Sequence, residues 1–292
     1  MSFDFAMEKK LKSENRQLHN IFSDNVLCCQ KMLLKYKSIF PSYTDHTSLH
    51  SLEVIAFCNE LIGAYIDKLN TDEIFILLMA SYLHDSGMGI TEHDYEEFCK
   101  MLPHVQKFKA DNPSTPLEEV VRRFHHDFSG CYIEKYAMIF DFPSEEHLYA
   151  IKQVSRGHRK TDLYDENEYP SEYKLPNGNI AHLPYLAALI RLADELDIAA
   201  DRNIQFLYDI KDDMIKESYI EFLKHRAIKE VNFESDRFTV RIEYDKVKNP
   251  ELGAELEQLF VKLKETLDEC VDVTIKRSPF EIKQTEISVS GI

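Results

Sequence analysis

Up to about residue 200 the spacing of apolar residues is that of α-helices. Residues 46–69 place apolar side chains three and four positions apart over a wide surface, which predicts a buried helix of a bundle. A second helix is predicted from the capping residue Asn70, which acidic side chains follow, to about Leu83. Residues 88–114 mix charged and apolar positions around two prolines, so they predict a loop or short helices, with a lid as one interpretation.

Capping signals predict three further helices in the first part of the chain. The segment 115–118 combines a capping box with proline at the first helical position, which predicts a helix running to about residue 140. Another helix is predicted at about 144–155. A loop with prolines and a glycine follows over 161–180, and Pro184 then begins the next helix.

Past about residue 204 the pattern changes to alternating β-branched and polar residues around a short turn, which is typical of a hairpin. A helix and a strand are predicted after the hairpin. The hairpin strands, the helix and the last strand are predicted at about 227–234, 237–245, 250–271 and 279–289. The fold class is therefore predicted as mainly α: a helical domain over 1–203 and a small α+β subdomain over 204–292, comprising a helix, the hairpin, a helix and a strand. We expect this subdomain to act in packing, dimerisation or docking of a partner.

Composition narrows the class of protein. A hydrophobic fraction of 44% and a charged fraction of 29% are those of a soluble globular protein, and no apolar run approaches the ~20 residues of a membrane span. Six cysteines without a CxxC pair predict free thiols in the cytoplasm. The net charge of −16 disfavours a nucleic-acid polymer as partner but allows a small anionic substrate, because a bound metal can reverse the potential within one pocket.

Metal-ligating side chains recur on the apolar helices. Asp194 falls on the same apolar stripe as Leu186 and Ile190, and a carboxylate on such a stripe is expected to be paired or to bind a cation. Histidines with similar apolar neighbours lie on the preceding helices. The candidate positions are His50, His84, Asp85, His125, His158 and Asp194. Mixed imidazole and carboxylate ligands predict one or two divalent ions, with Mn, Fe, Mg, Zn, Ni and Co as candidates rather than Ca.

Three segments of the chain resemble a known signature. His50–Val54, Leu83–Gly87 and Arg191–Asp197 together resemble the ordered H…HD…D pattern of the HD-domain phosphohydrolases, over about residues 40–203. Arg122–Ser129 and Arg156–His158 resemble additional histidine positions of the branch found fused to Hsp90-like ATPases.

The resemblance implies an HD-domain helical bundle in which His50, His84, Asp85 and Asp194 bind one metal. It also implies that His125 and His158 either complete a second metal site bridged by Asp85 or face the substrate. The residues after Asp85 are Ser-Gly-Met-Gly, without the Gly-Lys of cyclic-di-GMP phosphodiesterases or the acidic pair of guanosine-tetraphosphate hydrolases. Those two substrates are therefore not indicated.

Several alternatives stay open at the level of sequence. His126 competes with its neighbour His125 for the site. The basic residues Arg156, Arg159 and Lys160 flank His158 and are either a phosphate-binding group or a solvated face. Three further histidines are expected at caps or on the surface: His46, His93 and His104.

The function predicted from these residues is hydrolysis of a phosphate ester or anhydride, with a nucleotide as substrate, by metal-activated water. Asp85 and His125 are the predicted catalytic residues, and His125 would protonate the leaving oxygen if it is not a ligand. The alternative is an HD-fold module that senses a nucleotide or partner without hydrolysis. The expected partners are a second copy of the chain or a chaperone-type ATPase, and no membrane.

Overall fold

A computed structural model describes residues 5–33, 48–198, 216–245 and 250–290. Eleven α-helices lie within these ranges, which confirms the mainly α class. The helices are α1 (Ala6–Glu14), α2 (Arg16–Leu33), α3 (Ser48–Ile62), α4 (Thr71–Leu83), α5 (Glu92–Met101), α6 (Pro103–Asp111), α7 (Leu117–Lys135), α8 (Glu145–Arg156), α9 (Leu183–Leu196), α10 (Lys216–Ala227) and α11 (Leu252–Arg277).

The strands form two small sheets. β1 (Tyr173–Lys174) pairs with β2 (Ile180–Ala181), and a three-stranded sheet contains β3 (Ile228–Phe233), β4 (Arg237–Ile242) and β5 (Glu286–Ser290) in that order. The predicted hairpin is confirmed as the antiparallel pair β3–β4. β5 runs parallel to β4, which requires a long crossover, and α11 lies within it.

Helix α4 is the centre of the bundle. Every residue from Asp72 to Leu83 is buried, because α2, α3 and α8 pack around it. Its start is fixed by a capping box. Asn70 Oδ1 accepts from the backbone N–H groups of Asp72 and Glu73, and a carboxylate oxygen of Glu73 accepts from the backbone N–H of Asn70. A helix that is apolar on all sides is stable in water only when other helices surround it. The polar contacts of α4 are therefore at its two ends.

The C-terminal elements join the same core. α11 packs along α9, and buried residues of β4 and α11 belong to one hydrophobic cluster with those of α4 and α9. Residues 199–215 lie outside the described ranges, so the predicted division at residue 203 stays a prediction.

Helix α3 differs from one expectation. By length and composition alone the segment Ser48–Asp67 is apolar enough to span a membrane, whereas no apolar run of that length was expected. A bent pair, Thr71–Gly89 with Glu92–Met101, also meets that test. Such helices are equally typical of a core, and α3 buries one face against α4 and α9.

Local boundaries differ from the sequence predictions at several places. Helix α3 ends at Ile62 rather than near 69, and β5 begins at Glu286 rather than near 279. The capping box predicted at 115–118 does not form: Pro116 is itself the cap residue, with extended φ/ψ of −57° and 151°, so Thr115 lies one position too early to cap α7. Helix α7 ends at Lys135 rather than near 140, and α11 continues to Arg277. Residues 88–114 form the two short helices α5 and α6, as one of the two interpretations predicted.

All six cysteines are free thiols, as predicted. Cys28 and Cys99 are half-buried and the other four are buried. Burial, together with the neighbouring Cys28 thiol, raises the pKa of Cys29 to about 12, so this thiol is inert as a nucleophile.

Candidate metal centre

Four side chains from three helices converge at the C-terminal end of α4. Nε2 of His50 lies 3.0 Å from Nε2 of His84, 3.5 Å from Oδ2 of Asp85 and 3.3 Å from Oδ1 of Asp194. Nε2 of His84 lies 3.3 Å from the same Asp85 oxygen and 3.8 Å from the same Asp194 oxygen. These separations suit ligands of one metal with bonds of about 2.0–2.2 Å. We call these four atoms the first donor group.

A second donor group adjoins the first. Nε2 of His125 lies 3.3 Å from Oδ1 of Asp85 and 2.8 Å from Nε2 of His158, and His158 Nε2 lies 3.6 Å from Asp85 Oδ1. Asp85 thus offers Oδ2 to the first group and Oδ1 to the second. His50, His84 and Asp85, and likewise Asp85, His125 and His158, form buried clusters able to hold one or two metal ions.

Three of the four histidines are oriented by one local interaction. In each, Nδ1 donates to the backbone carbonyl three residues earlier: His84 to Ser81 at 2.9 Å, His125 to Arg122 at 2.6 Å and His158 to Ser155 at 2.6 Å. Because a carbonyl only accepts, the hydrogen of each neutral ring is on Nδ1 and the lone pair is on Nε2. Outer partners of this kind orient metal-binding histidines.

The carbonyls used in this way lie where a helix ends or bends. His84 follows the last residue of α4, and His158 comes two residues after α8. Helix α7 is interrupted just before His125, where Phe124 has non-helical φ/ψ of −115° and 16°. The last carbonyls before an end or a kink lack partners within the helix and are free to accept from imidazole.

His50 is held instead by a carboxylate. Its Nδ1 lies 2.5 Å from Oδ2 of the buried Asp197. Asp197 is not among the site residues predicted from the sequence, although it follows Asp194 by three residues, a spacing that places both side chains on one side of the C-terminal end of α9. The spacing of three residues was the feature of the sequence that could have indicated this contact.

In the two donor groups, imidazole nitrogens face each other in pairs. Nε2 of His125 faces Nε2 of His158, and Nε2 of His50 faces Nε2 of His84, at hydrogen-bond distance. Protonation does not relieve the second group, because burial lowers the pKa of His125 to about 3 and that of His158 well below its usual value. Two lone pairs facing each other are stabilised by a cation between them, so the donor set fits a metal.

Asp194 keeps its charge in this setting. Burial alone would raise its pKa, but the contact with His50 and the nearby imidazoles of His84 and His158 hold the pKa well below its ordinary value. An ionised carboxylate is the form that a cation binds.

The turn after Asp85 lets helix α7 approach the site. A Cβ atom on Gly87 would lie 2.1 Å from the carbonyl oxygen of His125 and 2.4 Å from the backbone nitrogen of Ser129. Ser129 Oγ accepts from Gly87 N at 2.8 Å and donates to His84 O at 2.5 Å. Only glycine therefore allows α7 close enough to bring His125 to Asp85.

The predicted basic residues are found at different distances from the donor groups. Arg156 is held by Asp127 at 3.0 Å and by Gln153 at 3.0 Å. Arg159 is the one beside the donor groups, with Nη1 3.9 Å from Asp194 Oδ2, and Lys160 is exposed. Their role in phosphate binding stays a prediction.

The remaining histidines lie apart from the donor groups or outside the described residues. Nε2 of His126 lies 3.4 Å from Asp127 Oδ2, so His125 and not His126 enters the second donor group. His104, half exposed, also contacts Asp127, and His93 is exposed. His46 falls outside the residues that the structure describes.

Comparison with known proteins agrees with this geometry. Searches of curated proteins and of solved structures each found no match. A family model described as HD-CE matches residues 40–272, so it extends beyond the 40–203 expected from the sequence signature and includes most of α11. The chain belongs to the HD-CE family of the HD-domain superfamily.

Proposed function

We propose that this protein is a metal-dependent phosphohydrolase that acts on a phosphate ester or anhydride of a nucleotide. The observation that carries the proposal is the meeting of imidazole nitrogens of His84 and His125 around the two oxygens of Asp85. HD domains are typically phosphohydrolases of this kind, which supports the assignment of reaction class.

Each residue of the two donor groups has a distinct task in this proposal. His50, His84, Asp85 and Asp194 hold one ion, and Asp85, His125 and His158 hold a second. Bound ions supply a water activated at neutral pH and neutralise charge on phosphoryl oxygens. Asp197 orients His50 by accepting from its Nδ1.

His125 acts in this scheme as a ligand rather than as the proton donor. Its Nδ1 hydrogen is engaged by Arg122 O, and burial holds its pKa at about 3, far from the value that suits a general acid at neutral pH. Arg159, beside Asp194, is the residue that would contact a phosphoryl oxygen.

A small nucleotide is favoured over a nucleic-acid polymer by the charge of the chain. The net charge of −16 disfavours a polymer as the source of the phosphate group.

The test combines metal analysis with turnover. Protein purified without chelator is analysed for bound metals, and a panel of nucleoside mono-, di- and triphosphates is assayed for phosphate release with Mn²⁺, Mg²⁺, Ni²⁺ or Co²⁺ added. We expect bound metal and hydrolysis that chelator abolishes. Binding of a nucleotide without phosphate release would favour the sensing module, and protein free of metal under all conditions would refute the proposal.

A further inference from the structure

A lysine of the C-terminal helix lies at the edge of the metal centre. Nζ of Lys262, on α11, lies 2.7 and 2.8 Å from the two carboxylate oxygens of Glu195. Nη1 of Arg159 lies 3.1 Å from one of the same oxygens. Glu195 follows the candidate ligand Asp194 directly, so Arg159, Glu195 and Lys262 form a group beside the donor atoms that we call the basic rim.

The basic rim is held in place from within the fold. Buried Arg191 donates to the carbonyl oxygens of Gly157 and Thr161, each at 2.8 Å, and so clamps the loop that carries Arg159. Its Nη1 also contacts Glu269 of α11 at 2.6 Å. Glu269 lies two helical turns after Lys262, on the same face of α11. One arginine thus fixes both the loop and the helix that supply the two cations.

The charge of the basic rim favours an anion. Arg159, Lys262 and Glu195 together carry one net positive charge in a chain whose net charge is −16, while the Asp194 carboxylate, 3.9 Å from Arg159, is committed to the first donor group. The side chains of Arg159 and Lys262 are 34% and 49% exposed, so a solute can reach both, whereas that of Glu195 is 10% exposed. An anion that replaces Glu195 at the two cations gains two charge-assisted hydrogen-bonding partners.

The position of the rim relative to Asp194 indicates which part of a substrate it meets. Oδ1 of Asp194 belongs to the first donor group, and Arg159 lies 3.9 Å from the other oxygen, Oδ2. The rim therefore lies beside the first donor group, within reach of a phosphoryl group adjacent to one bound at the metals.

We propose that Arg159 and Lys262 bind a second phosphoryl group, adjacent to the one that is hydrolysed, so that the substrate is a nucleoside di- or triphosphate. This inference rests on the proposed phosphohydrolase function. It gives α11 a part in substrate binding, whereas the sequence indicated only packing or docking for residues 204–292.

The experiment compares affinities for nucleotides that differ only in phosphate number. Equilibrium dialysis with non-hydrolysable analogues of ATP and AMP in buffer with excess Mg²⁺ measures binding without turnover, and initial rates with the nucleotides themselves give KM and kcat. The variants are Lys262→Gln, Lys262→Arg and the matched control Lys264→Gln, which removes an exposed lysine of the same helix that contacts Asp268 instead.

In the wild type we expect ATP to bind more tightly than AMP. Lys262→Gln should weaken ATP binding, and raise its KM, about tenfold, with kcat and the binding of AMP unchanged. Lys262→Arg should restore the preference and Lys264→Gln should retain it.

An ATP-to-AMP affinity ratio that is the same in wild type and Lys262→Gln, or failure to bind either nucleotide, would overturn the inference. Hydrolysis with no dependence on phosphate number would overturn it while leaving the phosphohydrolase assignment intact. Tight ATP binding that depends on Lys262 without any turnover would support the basic rim and refute the assignment.

Discussion

The two ends of helix α4 carry buried clusters of the same residue types with opposite internal chemistry. At its N-terminal end Asp72 accepts from His147 at 2.8 Å, Asn177 at 3.0 Å and Asn179 at 2.6 Å. The adjacent Glu73 accepts from His182 Nδ1 at 2.7 Å. At the C-terminal end, imidazole nitrogens face one another around the oxygens of Asp85.

The difference lies in the partners and not in burial. Each ring nitrogen of His147 meets an oxygen, Nε2 at Asp72 and Nδ1 at Ser144 Oγ, so this histidine is satisfied within the protein. In the metal centre every Nδ1 is satisfied in the same way, but Nε2 of His125 and of His158 face each other. A cluster of buried histidine and aspartate thus indicates a metal site only when an imidazole nitrogen in it accepts no hydrogen bond from the protein.

The largest effect is expected from the same substitution in the two clusters, one at each end of α4. Asp194→Asn should lose the first metal and reduce turnover by more than the about 10–100-fold typical for outer partners of ligands, because it removes a charged donor itself. Its helical content should be retained. Elemental analysis, far-UV circular dichroism and phosphate release test this.

Asp72→Asn is the matched control. It should keep full metal content but lose on the order of 3 kcal/mol in free energy of unfolding, since it breaks a buried charged network. Equal metal loss in both variants, or full metal and activity in Asp194→Asn, would contradict the distinction between the two clusters.

A second prediction sharpens the count of ions. Ala in place of His125 or His158 should lower the metal content from two ions towards one and reduce turnover by at least the about 10–100-fold typical for outer partners, because the second donor group loses one of its three side chains. His147→Gln, at the other end, should keep two ions. Unchanged metal content and kinetics in both alanine variants would mean that neither histidine faces the metals.

A smaller effect is expected from the turn that follows Asp85. Gly87→Ala forces a Cβ against the backbone of α7 and should cost about 1–3 kcal/mol in free energy of unfolding, with weaker binding of the second ion. Gly89→Ala is the control, because no atom lies within 4 Å of the added Cβ. Chemical denaturation with and without metal measures both, and equal stability of the two variants would argue against the close approach.

The smallest effect concerns pH at the N-terminal cluster. Burial alone would raise the pKa of Asp72, but hydrogen bonds from His147, Asn179 and Asn177 hold it below the ordinary value of 3.8. Because this pKa is depressed by folding, the ionised carboxylate stabilises the fold fully above pH 3.8, and the contribution is lost as pH falls through the lower folded value.

The excess stability of chelator-treated wild type over Asp72→Asn should therefore shrink below pH 3.8. Unfolding curves of the two proteins at several acidic pH values measure it. A difference that stays constant into strong acid would show that the charge of Asp72 contributes nothing to stability.

The sequence predicted what is repeated or local. Apolar periodicity and capping signals predicted α3, α4, α7, α8 and α9, left α5 and α6 as one of two interpretations, and gave no bounds for α1 and α2. The ordered signature predicted the residues that form the two donor groups, with His125 and His126 undecided. The direction of a side chain at the kink of α7 depends on Phe124, which no spacing rule identifies. The prediction of Thr115 as the cap was wrong by one residue, because Pro116 is the cap residue. A capping pattern does not locate a helix end to within one residue.

Contacts between distant segments were the part that the sequence did not reveal. Asp197 meets His50 across 147 positions, and Lys262 meets Glu195 across 67. Such pairs depend on how α9 packs against α3 and α11, and packing angles are not encoded in the pattern of any single helix.

The bond between His50 and Asp197 also has a consequence for the order of events during folding. Its partners are separated by 147 positions, and the ligands themselves are spread from residue 50 to residue 194. A chain that emerges or refolds from its N-terminus has no complete first donor group until α9 docks on α3, and closing so long a loop is slow. Metal capture is therefore a late step, and the time course of metal uptake during refolding would report the docking of α9.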